Sequence, residues 1–252
     1  MKILLSPAKL MSIETVSQWH KHTQPEYIEL SKKLHSVLKE YTPKELENLL
    51  DISPKLSQES WERNQEWKPN PSKKESLQAI YAFKGEVYRG LNAKNLSSTA
   101  LNYLQKNLLI ISGLYGILRP SDDIMPYRLE IGKKLKTEKS KDLYSFWEQT
   151  LTHYLNSHLE NDEPILNLCS KEYFKVFKTK NLKGKVVNVE FKDFKDNKWK
   201  YIVIYIKNAR GKMARWCAIN NIKDVEKLKV YNEDGYEFSE ELSQNNNLVF
   251  VR

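Results

Sequence analysis

Cysteine is scarce in this chain: Cys169 and Cys217 are the two among 252 residues. That excludes a disulfide framework and any thiolate metal cluster. Cys169 follows the apolar run Ile165-Leu166-Asn167-Leu168, so it reads as a small buried side chain, as does Cys217. Histidine is equally thin. His20 and His22 lie two apart in a polar segment, and His153 and His158 lie five apart on an expected helix. Neither pair has metal-ligand spacing, which argues against direct chelation of a metal ion; no metal or cofactor is expected. No run of ~18 apolar residues exists, so no membrane span is expected. The start, Met1-Lys2-Ile3-Leu4-Leu5-Ser6-Pro7, is apolar too briefly for a signal peptide. The chain is expected to be cytoplasmic and monomeric. Repeats, low-complexity tracts, a P-loop, a GxGxxG element and a GxSxG elbow are all missing from it.

What is present is positive charge in one place. Fourteen of the 45 residues from Lys171 to Arg215 are Lys or Arg and four are acidic, a local excess of +10 in a chain of net +9. Everything outside the stretch therefore sums to about −1. Aromatics run through it: Tyr173, Phe174, Phe177, Phe191, Phe194, Trp199, Tyr201 and Tyr205. Cations beside flat rings suit a polyanion with bases, hence nucleic acid. The plain alternative is a solvated lysine-rich hairpin.

The apolar patterning predicts an α/β (mixed α+β) fold, a mixed sheet with surrounding helices. No long linker divides it, so residues 1–252 are expected to form one compact unit, with one or two lobes. Residues 3–5, Leu108–Ile111, Ile165–Leu168 and Leu248–Val251 read as buried strands; Lys185–Phe191 and Trp199–Ile206 alternate as strands joined by a turn at Asp196-Asn197. Helical spacing covers 25–48, with Thr42-Pro43-Lys44-Glu45 as a helix start. It also covers the segment from Asp51 towards Trp61, Ser72–Tyr81, Ser97–Lys106, Asp142–Leu159 and Gly211–Asn220, with a short helical turn at Val225–Leu228.

Several motifs are suited to anions. Ser6-Pro7-Ala8-Lys9 follows the first strand, where ligands bind in open sheets; Ser6 offers a hydroxyl and Lys9 a charge, unless they are a helix cap and a surface lysine. Lys84 and Arg89 flank Gly85. Ser112-Gly113-Leu114-Tyr115-Gly116 makes a tight turn whose amides could bind phosphate, in the manner of a helix-hairpin-helix element. Beyond it, Arg119, Tyr127 and Arg128 offer phosphate or carboxylate contacts, unless the arginines pair internally with Asp122, Asp123 or Glu130. Lys207, Arg210, Lys212 and Arg215 fall within nine residues, read here as opening a helix whose amino terminus favours an anion.

Taken together these segments resemble the peroxide stress protein YaaA family nearly end to end. The resemblance rests on Ser6-Pro7-Ala8-Lys9, Ala82-Phe83-Lys84-Gly85, Ser112-Gly113-Leu114-Tyr115-Gly116 with Leu118-Arg119-Pro120, and Pro126-Tyr127-Arg128-Leu129-Glu130. It continues through Asp142-Leu143-Tyr144 with Phe146-Trp147, Ser170 with Glu172-Tyr173-Phe174-Lys175, Ala209-Arg210-Gly211, Gly235-Tyr236 with Phe238, and Leu248-Val249-Phe250. It implies a bacterial cytoplasmic protein that protects against hydrogen peroxide by lowering free iron. It also implies a positively charged cleft, double-stranded DNA binding and a helix-hairpin-helix-like element. It transfers no catalytic residue.

Two function classes follow. In the first, Lys9, Lys84, Arg119, Arg128, Arg210, Lys212 and Arg215 line a groove and neutralise DNA phosphates. In the second, Ser6, Lys9, Lys84, Tyr127, Arg128, Glu130 and Arg210 converge on a pocket of an enzyme acting on a nucleotide, base or nucleic acid. Glu130 or Lys9 is then the base and the arginines hold the anion.

Overall fold

The computed structural model describes residues 1–12 and 19–252. Its strands are β1 (Lys2–Leu5), β2 (Leu10–Met11), β3 (Leu77–Gln78), β4 (Phe83–Lys84), β5 (Leu108–Ser112), β6 (Gly116–Leu118), β7 (Asp123–Ile124), β8 (Ile165–Leu168), β9 (Val186–Lys195), β10 (Lys198–Lys200), β11 (Glu237–Gln244) and β12 (Asn247–Val251). Its α-helices are α1 (Ile28–Lys39), α2 (Pro43–Leu50), α3 (Pro54–Glu66), α4 (Ala79–Ala82), α5 (Glu86–Leu91), α6 (Ser98–Asn107), α7 (Leu143–Ser157), α8 (Lys171–Phe174) and α9 (Val203–Ile219).

The main sheet runs β11-β12-β9-β8-β1-β5-β6, with β10 paired to β9 outside this path. β5, β1, β8, β9 and β12 are mutually parallel; β6 and β11 close the two edges antiparallel. β1, β5 and β8 are buried along almost their whole length, as parallel strands covered on both faces must be. Their near-continuous Leu and Ile runs carry that burial. The mixed α/β architecture expected from the patterning is the one observed.

The order of the parallel strands locates a site. From β1 the chain goes to β5 on one side, then returns to β8 on the other. The connections therefore diverge outside the carboxyl ends of β1 and β8, and such a switch point leaves a crevice there.

Local chemistry explains most element ends. Thr42 accepts from the Glu45 amide while Glu45 Oε2 accepts from the Thr42 amide at 2.8 Å, a capping box with Pro43 at the first helical position. This splits the 25–48 pattern into α1 and α2. Asp196 and Asn197 both have positive φ (53° and 57°) in the tight β9–β10 turn, a conformation these two residue types tolerate best after glycine.

Three expectations require correction. Ser72–Tyr81 is helical only from Ala79, where α4 begins: the Ser72 hydroxyl and amide bind Glu75 in a local turn, and Leu77 then pairs with Ile124. Trp199–Ile206 is not a strand beyond Lys200, because α9 begins at Val203. Nor does a helix start at Gly211. Tertiary packing overrides the β-branched local preference here. α9 lies so tightly on α5 that a Cβ on Gly211 would fall 2.7 Å from Leu91 N and nearer still to Val87 O, while one on Gly90 would fall 3.0 Å from Lys212 N and nearer to Asn208 O. Glycine on each helix is what permits this contact.

Candidate functional site

The crevice at the switch point is held together by short polar contacts. Ser6 follows β1, and its Oγ accepts from the Ser170 amide at 2.9 Å, which ties the loop after β1 to the loop after β8. The Tyr88 hydroxyl donates to Ser6 O at 3.1 Å. Cys169 lies beside Ser6, fully enclosed; burial pushes its thiol up to about 12, against the opposing pull of Arg210 and Ser6. A thiol so placed stays protonated and unreactive.

Across the crevice, Glu130 is the hub. Its Oε1 takes Arg128 Nη2 at 3.3 Å and Lys9 Nζ at 3.4 Å. Glu130 is 5 % exposed, and among the described residues its Oε2 has no hydrogen-bond partner; Arg128 Nε and Arg210 Nε are likewise buried without one. Burial depresses the Arg210 guanidinium below its ordinary value, partly offset by Cys169 and Glu190. The Tyr127 hydroxyl is bonded to Ser112 Oγ at 2.6 Å, and burial raises it far above the usual phenol range. Lys9, Tyr127, Arg128, Glu130 and Tyr173 line a recess of about 10 Å³, room for one water-sized molecule. Lys84 stands at the rim: β4 pairs Lys84 with Leu10, and Gly85 sits against Ala8. Ser6, Lys9, Lys84, Tyr127, Arg128 and Arg210 thus gather in one region, although they come from separate parts of the chain.

The remaining candidates lie elsewhere. Gly113 and Gly116 belong to a buried strand-turn-strand hairpin, β5–β6, and not to a helix-hairpin-helix. A Cβ on Gly113 would fall 3.0 Å from the Leu129 carbonyl carbon, and one on Gly116 (φ 73°) would fall 2.7 Å from the Trp147 ring. Trp147 Nε1 donates to Gly113 O at 2.9 Å. These glycines serve packing, and the turn has no free outer face for a phosphate. Arg119 is held internally by Asp122 Oδ1 and Gln24 O, each at 3.3 Å. Lys212 pairs with Asp234. Arg215 donates to the carbonyls of Leu91 (3.2 Å), Asn92 (2.8 Å) and Asn95 (3.1 Å). It satisfies the open carbonyl end of α5, where a cation is favoured. Lys207 is exposed within α9. Because α9 begins at Val203, these cations sit along the body of a helix, and the expected amino-terminal anion site does not form.

The basic stretch contributes a second feature, on the surface. Tyr173, Phe177 and Phe191 are buried, but Phe194, Trp199, Tyr201 and Tyr205 are exposed, together with Val203 and Ile204. Phe194 and Trp199 are directly opposite in the β9–β10 ladder with ring centroids 5.0 Å apart. Lys195 and Lys198 are also directly opposite and exposed; one ladder step from the ring pair, they point to the other face of the hairpin, and among the described residues neither has an ion pair.

A model of the family described as peroxide stress protein YaaA matches residues 1–242. The chain belongs to this family. Its relatives include a UPF0246 protein of Flavobacterium psychrophilum, 44% identical over 252 residues and the full length of both chains. A UPF0246 protein of Flavobacterium johnsoniae is 42% identical over the same span, and one of Shewanella oneidensis is 42% identical over 254 residues, all of this chain and 99% of its own. The family description points to a peroxide-stress role; the relatives' names state no activity.

Within the described residues, no three or more His, Cys, Asp or Glu side chains are grouped to hold a metal ion, and no helix is long and apolar enough to cross a membrane. Sequence reasoning missed Ser170 and Tyr173 as crevice residues and Val203 and Ile204 as surface residues. The first two follow the β8 run directly, so the switch-point rule would have found them had the strand order been known.

Proposed function

We propose that this chain acts in the peroxide-stress response by binding double-stranded DNA, limiting the damage that hydrogen peroxide and free iron do there. The observation that carries the reading is the surface of the β9–β10 hairpin and the first turns of α9. There Lys195, Lys198 and Lys207 are exposed, none of them in an ion pair among the described residues, with Lys195 and Lys198 at the hairpin tip on the opposite face from the Phe194 and Trp199 rings. Lys9, 66 % exposed at the crevice rim and paired there with Glu130, and Lys84 are further cations, at the crevice and not on the hairpin. Arg128 and Arg210 are too enclosed to reach duplex phosphates, so they are not assigned to this contact. Phosphate neutralisation releases counterions, giving a log–log salt slope of about −0.9 per phosphate. Changing Lys195, Lys198 and Lys207 together to alanine is expected to reduce that slope by about 2.7 and to weaken all sequences alike. Unchanged slope and affinity in the triple variant would refute the assignment.

The crevice favours a second reading, an enzyme or ligand site acting on a nucleotide or base. The residues of that reading converge there, and Glu130 Oε2, Arg128 Nε and Arg210 Nε are buried without hydrogen-bond partners among the described residues. Such groups cost free energy unless something pairs with them. Calorimetric titration with mononucleotides and free nucleobases tests it: binding lost in Glu130→Gln supports it, and absence of binding to the wild type contradicts it.

A further inference from the structure

We infer that the crevice at the switch point binds a nucleoside monophosphate, with the phosphate on Arg210 and a hydrogen-bond donor of the nucleoside on Glu130. The inference rests on the nucleotide-or-base reading above and names the ligand class and the group that anchors it.

Arg210 is the anchor. A guanidinium presents five N–H donors in a planar fork and stays charged at neutral pH. Among the described residues half-buried Arg210 has no ion pair and no hydrogen bond, and its Nε is fully enclosed. Arg119, Arg128, Arg215 and Arg252 differ: they are held by Asp122, by Glu130, by carbonyls at the end of α5 and by Asp193. The acidic groups beside Arg210 are Cys169, whose thiol stays protonated, and Glu190. Glu190 Oε2 already accepts from the Tyr201 hydroxyl at 2.6 Å and lies 3.9 Å from Lys192 Nζ. A cation left in this state costs free energy, and the cost falls when an anion arrives. The close seating of Gly211 on α5 holds the adjoining Arg210 backbone in place, so little order is lost on binding.

Glu130 is the second anchor. Its side chain is 7 % exposed; Lys9 and Arg128 engage Oε1, and among the described residues Oε2 has no hydrogen-bond partner. An ionised carboxylate oxygen only accepts, so it takes an N–H or O–H from a ligand. The recess that Glu130 lines is about 10 Å³. An amino or hydroxyl group enters such a space; a ring or a phosphate does not. The phosphate is thereby left to Arg210, beside Cys169 and the Ser6–Ser170 contact. Charge sets the kind of anion. Lys9, Arg128 and Arg210 against Glu130 leave a formal +2. A phosphomonoester, at about −1.5 to −2 near pH 7, matches this better than a carboxylate with its single charge. A phosphodiester backbone carries one charge per phosphate and has chain on both sides, so it fits neither the charge nor the enclosure.

The test is calorimetric titration of the protein with AMP, GMP, CMP and UMP, with the matching nucleosides and free bases, and with inorganic phosphate. At least one monophosphate should bind, with its nucleoside and inorganic phosphate each weaker by about 10-fold or more. Arg210→Ala should lose about 10–100-fold, with part of the loss restored by added guanidinium ion. Arg210→Met should raise the Tm of the ligand-free protein by about 2–4 °C, because a cation without a partner is removed. Nucleosides or free bases that bind as tightly as the monophosphates overturn this inference and leave the nucleotide-or-base reading standing. Inorganic phosphate that binds as tightly makes the crevice a simple anion site and overturns the inference. Absence of binding by every probe overturns both. A lower ligand-free Tm in Arg210→Met assigns Arg210 to the fold and overturns the inference, as does displacement of the monophosphate by duplex DNA.

Discussion

Replacing Gly211 with alanine sets two physical effects of opposite sign against each other. Gly211 is in the body of α9, where alanine is favoured over glycine by about 1 kcal/mol, so an isolated helix would gain. The packing says otherwise. The new Cβ would fall 2.7 Å from Leu91 N, 2.8 Å from the Val87 carbonyl carbon and nearer still to Val87 O. All three are backbone atoms of α5 that cannot rotate aside. An ordinary carbon contact is about 3.4 Å or more, so the helices must part by roughly 0.7 Å at Leu91 N alone. Overpacking of this kind costs about 1–3 kcal/mol, and an unyielding backbone places the cost at the upper end. The net loss is then about 2 kcal/mol. For a chain of this size each kcal/mol moves Tm by about 2–4 °C, so a fall of about 4–8 °C is expected by circular dichroism. Gly90→Ala should behave similarly, and the double variant should cost less than the two separate losses combined, because helices already parted have room for the second methyl. A rise in Tm for Gly211→Ala would show that propensity dominates and that the α5–α9 contact is not close.

Other expectations separate structural from binding roles. Arg215→Ala should lower Tm by several degrees, since bonds to three carbonyls of and beyond α5 are lost, while leaving DNA affinity unchanged; a loss of affinity at unchanged Tm would contradict the capping role. Asp122 is 1 % exposed and its carboxyl is pushed up to about 6, chiefly by burial, against the pull of Thr23 and Arg119. An acid with a raised folded-state pKa contributes stability that is present below its unfolded value near 4 and lost as pH rises through 6. Urea melts should therefore show wild type gaining on Asp122→Asn as pH falls from 7 to 4, and the reverse trend would refute the assignment. Burial raises both thiols, Cys169 up to about 12 and Cys217 higher still, so alkylation of the native protein at pH 8 should leave them unmodified; rapid labelling would make one of them a candidate peroxide sensor.

Much of the fold was legible because burial writes itself into composition. Leu108–Ile111 and Ile165–Leu168 are apolar runs too short for anything but inner strands, and Thr42 with Glu45 marks a helix start by its own hydrogen bonds. The segment from Trp199 to Ile206 misled because Ile202, Val203, Ile204 and Ile206 are β-branched and Trp199, Tyr201 and Tyr205 are aromatic, all residue types that favour strands. What makes α9 a helix from Val203 is glycine-to-backbone contact with a segment more than a hundred residues earlier, which no local window contains. That one shift turned an expected helix terminus at Arg210 into the middle of a helix. Ser112–Gly116 was correctly read as a tight turn, but whether its amides face solvent depends on Trp147 and Leu129, which cover it. The crevice was half readable. Ser6, Lys9, Arg128 and Arg210 stood out as polar residues near strand ends, whereas Glu130 as the acid shared by Lys9 and Arg128 emerges only once the chain is folded.

The central claim is that the lysine and ring surface between Phe194 and Lys207 is where DNA is touched. Hydrogen–deuterium exchange with and without a forked duplex measures this directly. The account predicts slowed exchange confined to β9, β10 and the first turns of α9, with the β5–β6 hairpin unaffected. Protection centred instead on the loops carrying Ser6 and Arg128, or no protection anywhere at saturating DNA, would contradict it.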